Sequence, residues 1–216
     1  MTRARLGAIA VAAAALGAAA FLYVVSSSQP SRLAPAGEPA AIRTVVLITI
    51  DTLRADRLGA YGWSDARTPA MDALAARGSR FTRAFATAPI TMPSHASLLT
   101  GLYPPGHGSR HNGMRMRDEP ATLAAILRER GWATGAFVSA FPLDRRFGLE
   151  RGFDRYGDRM PRGPDGRLLN ERPGRHTVDE ALAWLGGIDG QPAFLWVHLF
   201  EPHAPYEADP SRVSDQ

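Results

Sequence analysis

The sequence predicts an α/β domain with a mostly parallel sheet flanked by helices. Three observations lead there. The runs Val45–Ile50, Ala133–Ser139 and Ala193–Leu199 are almost continuously β-branched, aliphatic or aromatic, as expected of strands buried on both faces. Segments with a helical apolar period stand between them, an alternation that argues for a parallel sheet. Polar residues come directly after two strands: Asp51 after Ile50, and His198, Glu201 and His203 around the end of the last run. Ligands of such sheets bind beyond the carboxyl ends of strands.

The helices come in order along the chain. Thr68 and Pro69 offer an N-cap and a first-turn proline; Ala70, Ala73, Leu74 and Arg77 keep the period, and Gly78 stops it. Pro120 is expected to open a second helix, with Leu123, Ile126 and Leu127 on one face and Gly131 at its end. Val178, Ala181, Leu182 and Leu185 predict a third, ended by Gly186 and Gly187. Asp144–Arg175, rich in Arg, Gly and Asp, reads as a long loop region.

The first 41 residues stand apart from the domain. Arg3 and Arg5 precede an unbroken apolar stretch, Leu6–Val25. At about 1.5 Å per residue, a helix of that length matches a bilayer's hydrocarbon core of roughly 30 Å. Arginines held in the cytoplasm send the rest of the chain outward. The favoured expectation is a single-pass anchor over residues 1–25 that puts the domain on the periplasmic or extracellular side of the cell membrane. A signal peptide cleaved near Ala18–Ala20 is the alternative. Residues 26–41, with Pro30, Pro35 and Pro39, read as a linker, and 42–216 as the domain.

Composition excludes several chemistries. All 25 basic residues are arginine, dispersed among acids to a net charge of +4, and no aromatic-plus-basic motif occurs. No nucleic-acid partner is expected. The chain has no cysteine, so disulfides, thiolate metal sites and a cysteine nucleophile are excluded.

Two segments carry candidate chemistry. A carboxylate at a strand tip, Asp51, suits a hard or borderline cation, although the same residue could simply cap a turn. In Thr91–Gly101, Pro93 suits a first helical turn and Leu98–Leu99 its buried side. Thr91 would then stand at a helix N-terminus, where free N–H groups and the dipole favour an anion. A hydroxyl there can act as a nucleophile if a metal lowers its pKa; Thr91 or Ser94 as a plain N-cap is the simpler alternative.

These residues resemble the sulfatase family of the alkaline phosphatase superfamily. Its signature runs nucleophile, any residue, Pro, Ser, Arg, then Ala or Ser, two aliphatics, Thr and Gly. Pro93, Ser94, Ser97, Leu98, Leu99, Thr100 and Gly101 match it. Val45–Asp56 resembles the family's first metal-binding strand, Thr68–Phe81 the segment after it, and Phe194–Tyr206 its His-Pro loop. The likeness covers residues 44–207 in the family's order.

The resemblance implies a metal-dependent hydrolase of sulfate or phosphate esters, acting on a small-molecule, lipid or glycan ester. It makes Asp51 a metal ligand, Thr91 the metal-bound nucleophile, and His203 the histidine that contacts the ester oxygens or protonates the leaving group. Asn112 becomes a substrate contact; His198 is a further candidate for one, although for His198 and His107 a structural histidine near the site is the favoured reading. His95 replaces the signature arginine and joins the catalytic set.

Two departures refine this. A threonine cannot be oxidised to the aldehyde that formylglycine sulfatases use, and the arginine associated with that modification is missing. Asp51-Thr52 replaces the paired aspartates common at the first strand. That favours zinc or manganese, with calcium possible. The resemblance also calls for a later Asp-His-Gly or Asp-Asn-Gly segment, which Asp165-Gly166 and Asp189-Gly190 do not supply. The expectation is an N-terminal portion of the fold, incomplete at its C-terminus and inactive alone. The alternatives are a phospho-group transferase acting on envelope lipids or glycans, and a non-catalytic remnant.

Overall fold

The computed structural model describes residues 43–204. The anchor and linker expectations, and the last residues of the His-Pro loop, lie outside them. No helix among the described residues is long and apolar enough to cross a membrane.

Four strands form one sheet: β1 (Thr44–Ile50), β2 (Ala133–Val138), β3 (Arg155–Gly157) and β4 (Ala193–Leu199). Their order is β1-β4-β2-β3 and every pairing is parallel. Helices α1 (Pro69–Arg77), α2 (Thr91–Thr100), α4 (Leu123–Glu129) and α5 (Gly174–Gly186) surround it, with α3 (Pro104–His107) a single turn.

The pleat of β4 explains the two cores. Successive side chains point to opposite faces. Phe194 and Trp196 therefore join Met92, Ala96 and Leu99 of α2 on one face, with Ala136 and Val138 of β2. Leu195 and Val197 join Ala181 of α5 and Phe137 on the other. With helices on both faces, β2 and β4 can be apolar nearly throughout, which is why they are legible as unbroken runs.

Several expectations change. The apolar run of β1 was expected to be buried, but it is an edge strand among the described residues, and Val46 and Ile48 are about half exposed. The second helix begins at Leu123, not Pro120: Thr122 caps it by accepting a hydrogen bond from Ala125 N–H at 3.1 Å. The capped start turns Ala124 inward and leaves Leu123 and Ile126 on the outside. In α5 the buried residues are Gly174, Thr177 and Ala181, and Leu182 is exposed. Helix α1 has the expected bounds yet buries none of its residues; the Thr68 hydroxyl meets Gly59 N–H and the Asp72 carboxylate instead of capping.

The expected loop, Asp144–Arg175, contains β3 and four core residues, Phe147, Leu149, Phe153 and Tyr156. A three-residue strand is too short to show a period, and here the arginines are structural. The buried Arg172 guanidinium donates to Val138 O, Gly157 O and Glu180, tying β2 and β3 to α5. Gly152, at φ +89°, lies against the backbone of Ala124 and Ala125.

Arg145 grips Asp158 through Nη2 at 2.7 Å and Nε at 3.0 Å, and its backbone N–H donates to the same carboxylate. Burial opposes ionisation of Asp158, but the Arg145 side-chain and backbone hydrogen bonds outweigh it, so its pKa falls below the usual carboxylate value. A depressed acid contributes stability that is present above its unfolded pKa and is lost as pH falls through the folded one. Because the guanidinium is largely in solvent, Asp158→Asn should cost only about 1–2 kcal/mol. Urea melts at neutral pH and near pH 3 test this: the gap between parent and variant should narrow in acid. A gap that does not shrink would exclude the ion pair as its source.

Candidate active site

Strand β1 ends at the mouth of a cleft of about 1000 Å³. Its register on β4 pairs Thr49 with His198 and Ile50 with Leu199, and Asp51 N–H donates to Leu199 O at 2.9 Å, so the ladder reaches the candidate carboxylate. The next residue, Thr52, holds φ 53°, an uncommon conformation for a β-branched side chain.

Helix α2 delivers the second group. Ile90 is extended and Thr91 is the first helical residue. Met92, His95, Ala96 and Leu99 repeat at helical spacing and face the sheet. Gly101, left-handed at φ 70°, ends the helix, and its N–H donates to Ser97 O at 2.8 Å. Leu98 is not the buried partner expected of it; it is half exposed and lines the cleft. The helix thereby holds Thr91 rigidly, and its Oγ donates to Asp51 Oδ2 at 3.0 Å. The two residues are 40 apart in sequence.

The anion site expected at this helix start is narrower than the sequence implied. The Met92 N–H is taken by Asn112 Oδ1 at 2.9 Å, and Pro93 has no N–H to give. The dipole remains. Asn112 therefore spends its carbonyl on α2 while lining the cleft.

Three histidines surround the pair. His95 is buried, and its Nδ1–H donates to the Thr91 carbonyl at 2.7 Å. Burial, with His198 beside it, pushes its pKa down to about 4, so it is neutral at pH 7 and brings none of the charge of the arginine it replaces. His198 is wholly buried behind Asp51, its Nε2 3.6 Å from Oδ2; it does not line the cleft and so is poorly placed for the substrate contact expected of it. His203 does line the cleft, stacked on Phe200 at 4.3 Å, with Nδ1–H on Ala204 O.

Asp51 is nearly buried, with 11% of its side chain exposed. Burial works against its charge, but the polar contacts from His198 and Thr91 prevail and hold its pKa below the usual carboxylate value.

Two nearby groups have other roles. Glu201 accepts the Gly174 N–H at 2.8 Å and so caps α5. His107 is fully buried and accepts Ser109 N–H at Nδ1, so its Nε2 is the protonated nitrogen, donating to Ser97 Oγ at 3.0 Å. A ring that donates to the serine cannot take that serine's proton.

No group of three or more His, Cys, Asp or Glu side chains among the described residues is placed to hold a metal ion. Asp51 and Thr91 nevertheless fit as part of such a site: an ionised carboxylate and a hydroxyl in contact beside an open cleft are two hard oxygen donors. Zinc and calcium sites need four or more ligands, so this pair alone would not complete one.

A family model described as Sulfatase matches residues 43–215. Among similar curated proteins, the steryl-sulfatase of Mus musculus is 32% identical over 184 residues, which are 76% of this chain and 28% of that protein. The ulvan-active sulfatase of Formosa agariphila is 29% identical over 195 residues, 79% of this chain and 37% of that protein. Among solved structures, the phosphonate monoester hydrolase of Agrobacterium radiobacter superposes with a TM-score of 0.63 at 25% identity, over 78% of this chain and 43% of that one. A protein solved with its substrate D-glucosamine-2-N,6-O-disulfate gives a TM-score of 0.66 at 22% identity, over 77% and 36%. The chain spans about a third of the length of these curated relatives.

Proposed function

The chain belongs to the sulfatase family, and from that premise we propose that it hydrolyses sulfate or phosphate esters with Thr91 as the nucleophile. The observation that carries the reading is the 3.0 Å contact between Thr91 Oγ and Asp51 Oδ2 at the wall of the cleft.

The sulfatase family generally depends on a divalent metal. Asp51 and Thr91 are the residues here that would hold one, zinc or manganese before calcium; when bound, it lowers the hydroxyl's pKa and offsets charge on the ester's free oxygens. Asp51, ionised and held below the ordinary carboxylate range, orients the hydroxyl and is a weak base towards it. Thr91 Oγ gives up its proton to solvent and attacks the sulfur or phosphorus centre in line; the bond from that centre to the ester oxygen breaks, and the oxygen leaves as an alcohol with a proton from His203. The Asn112 amide nitrogen offers donors to the non-bridging oxygens. Water then attacks the same centre, one of its protons returning to His203; the bond to Thr91 Oγ breaks, Oγ takes a proton back from solvent, and free sulfate or phosphate leaves.

That second displacement bears on the substrate. A threonine ester cannot collapse to a carbonyl, so water must attack the tetrahedral centre again, a course well suited to phosphoryl transfer. The phosphonate monoester hydrolase among the neighbours accords with it. The names of the steryl and ulvan enzymes favour sulfate, on a lipid or a glycan. Metal analysis of the purified protein, with rates on phosphate monoesters, phosphate diesters and sulfate esters, separates the two. Turnover of none of them by the full-length protein that carries this domain, with zinc, manganese or calcium added, would overturn the reading.

Asp51→Asn should weaken metal binding by about 10-fold or more, because it removes the charged ligand and leaves a poor amide in its place. Calorimetric titration with zinc and with manganese reads the change. A folded variant with unchanged affinity would remove Asp51 from the site.

A further inference from the structure

We propose that His198 is the positioning residue for Asp51: its Nε2–H holds Oδ2 from behind, leaving the carboxylate fixed with its other oxygen free for a cation. The inference rests on the proposed role of Asp51 as a metal ligand, and adds a residue to which the family signature assigns no task.

His198 is 0% exposed, and neither ring nitrogen has a partner at full hydrogen-bond distance. Leaving a buried donor unsatisfied costs about 1–3 kcal/mol, so the ring needs an acceptor within reach. Asp51 Oδ2 lies 3.6 Å from Nε2, roughly half an ångström beyond an ordinary hydrogen bond. The same oxygen already accepts from Thr91 Oγ at 3.0 Å. Two donors on one oxygen pin the carboxylate's rotation and leave Oδ1 without a claim on it.

The ring itself has little freedom. It sits on β4 in register with Thr49 of β1, covered by α2, with the His95 ring edge-on at 4.9 Å. Trp196, two residues earlier on the same face, packs against His95 and donates from Nε1 to Thr49 Oγ at 3.0 Å. His95 in turn is bound to the Thr91 carbonyl at 2.7 Å. One packed unit thus sets both the carboxylate and the nucleophile. Hydrogen bonds to a ligating carboxylate are worth about 10–100-fold in metal affinity or activity.

The test begins without metal. In the ¹⁵N-histidine-labelled protein, His198 should carry a ring proton on Nε2, and Asp51→Ala should shift that Nε2–H signal. An Nδ1–H tautomer, or a signal unmoved by Asp51→Ala, would overturn the proposal. The second arm compares zinc affinity. His198→Leu should bind about 10-fold or more weakly. His198→Gln, whose amide N–H can reach the Nε2 position, should stay close to the parent. Parental affinity in a folded His198→Leu would overturn the proposal, as would equal losses in Leu and Gln. If Asp51→Asn leaves zinc affinity unchanged, the reading of Asp51 as a ligand fails, while the metal-free spectra still decide the hydrogen bond.

Discussion

In the full-length protein that carries this domain, Thr91→Ala should abolish nearly all turnover, a fall of about 10³-fold or more, because the reaction loses the atom that forms the covalent adduct. Thr91→Ser should retain measurable activity, since the hydroxyl survives on the same helical residue. Both variants should fold like the parent. Thr91 is the first residue of α2, and its side chain makes one hydrogen bond, to Asp51, at the rim of the cleft. Initial rates on the best ester substrate, with unfolding curves as the control for folding, decide the matter. A Thr91→Ala rate near the parent's would exclude the covalent route and leave direct attack by water on the ester.

The largest effect on stability is expected at Gly152, far from the chemistry. A Cβ there would stand 2.1 Å from Ala125 N, 2.5 Å from Ala125 Cα and 2.7 Å from Ala124 C. All three are atoms of a helix backbone, so no side chain can swing aside. The residue also holds φ +89°, which L side chains rarely adopt. Conformational strain of about 1–2 kcal/mol adds to overpacking of about 1–3 kcal/mol, so Gly152→Ala should lose about 3 kcal/mol or more. Against a total stability of about 5–15 kcal/mol that is about a fifth or more of what keeps the domain folded. Denaturant unfolding of Gly152→Ala beside a control such as Gly186→Ala, where a Cβ meets open space, checks it. A Gly152→Ala midpoint equal to the control's would mean that α4 can move away from this turn at little cost.

Burial decided which parts of the fold were legible from sequence. β2 and β4 lie between helices on both faces, so apart from Thr134 and His198 their residues are apolar or glycine, and their bounds could be read to within a residue. β1 has the same composition, and nothing within its seven residues distinguishes an edge from a centre. β3 escaped notice because three residues, one of them Arg155, have no period to detect. The site was legible where residue chemistry sufficed: an Asp at a strand tip and a Thr before Pro93-Ser94 meet as expected. It was not legible where the role depends on what lies above a side chain. His198 at a strand end reads as a cleft residue until α2 is seen to cover it. Asn112 reads as a polar substrate contact, and nothing in the sequence announces that its oxygen also holds the Met92 N–H.

The pairing of β1 with β4 has a consequence for the order of assembly. Thr49 and Trp196, joined by a hydrogen bond across those strands, are 147 residues apart. Closing so long a loop is entropically costly, and pairings of this kind lag behind local ones. Asp51 and His198 therefore have no local precursor. A chain with α5 packed on β2 can already be compact and still lack any cleft floor. The carboxylate and its imidazole come together only when β1 docks on β4, so this part of the cleft is made by a long-range pairing and by no local element.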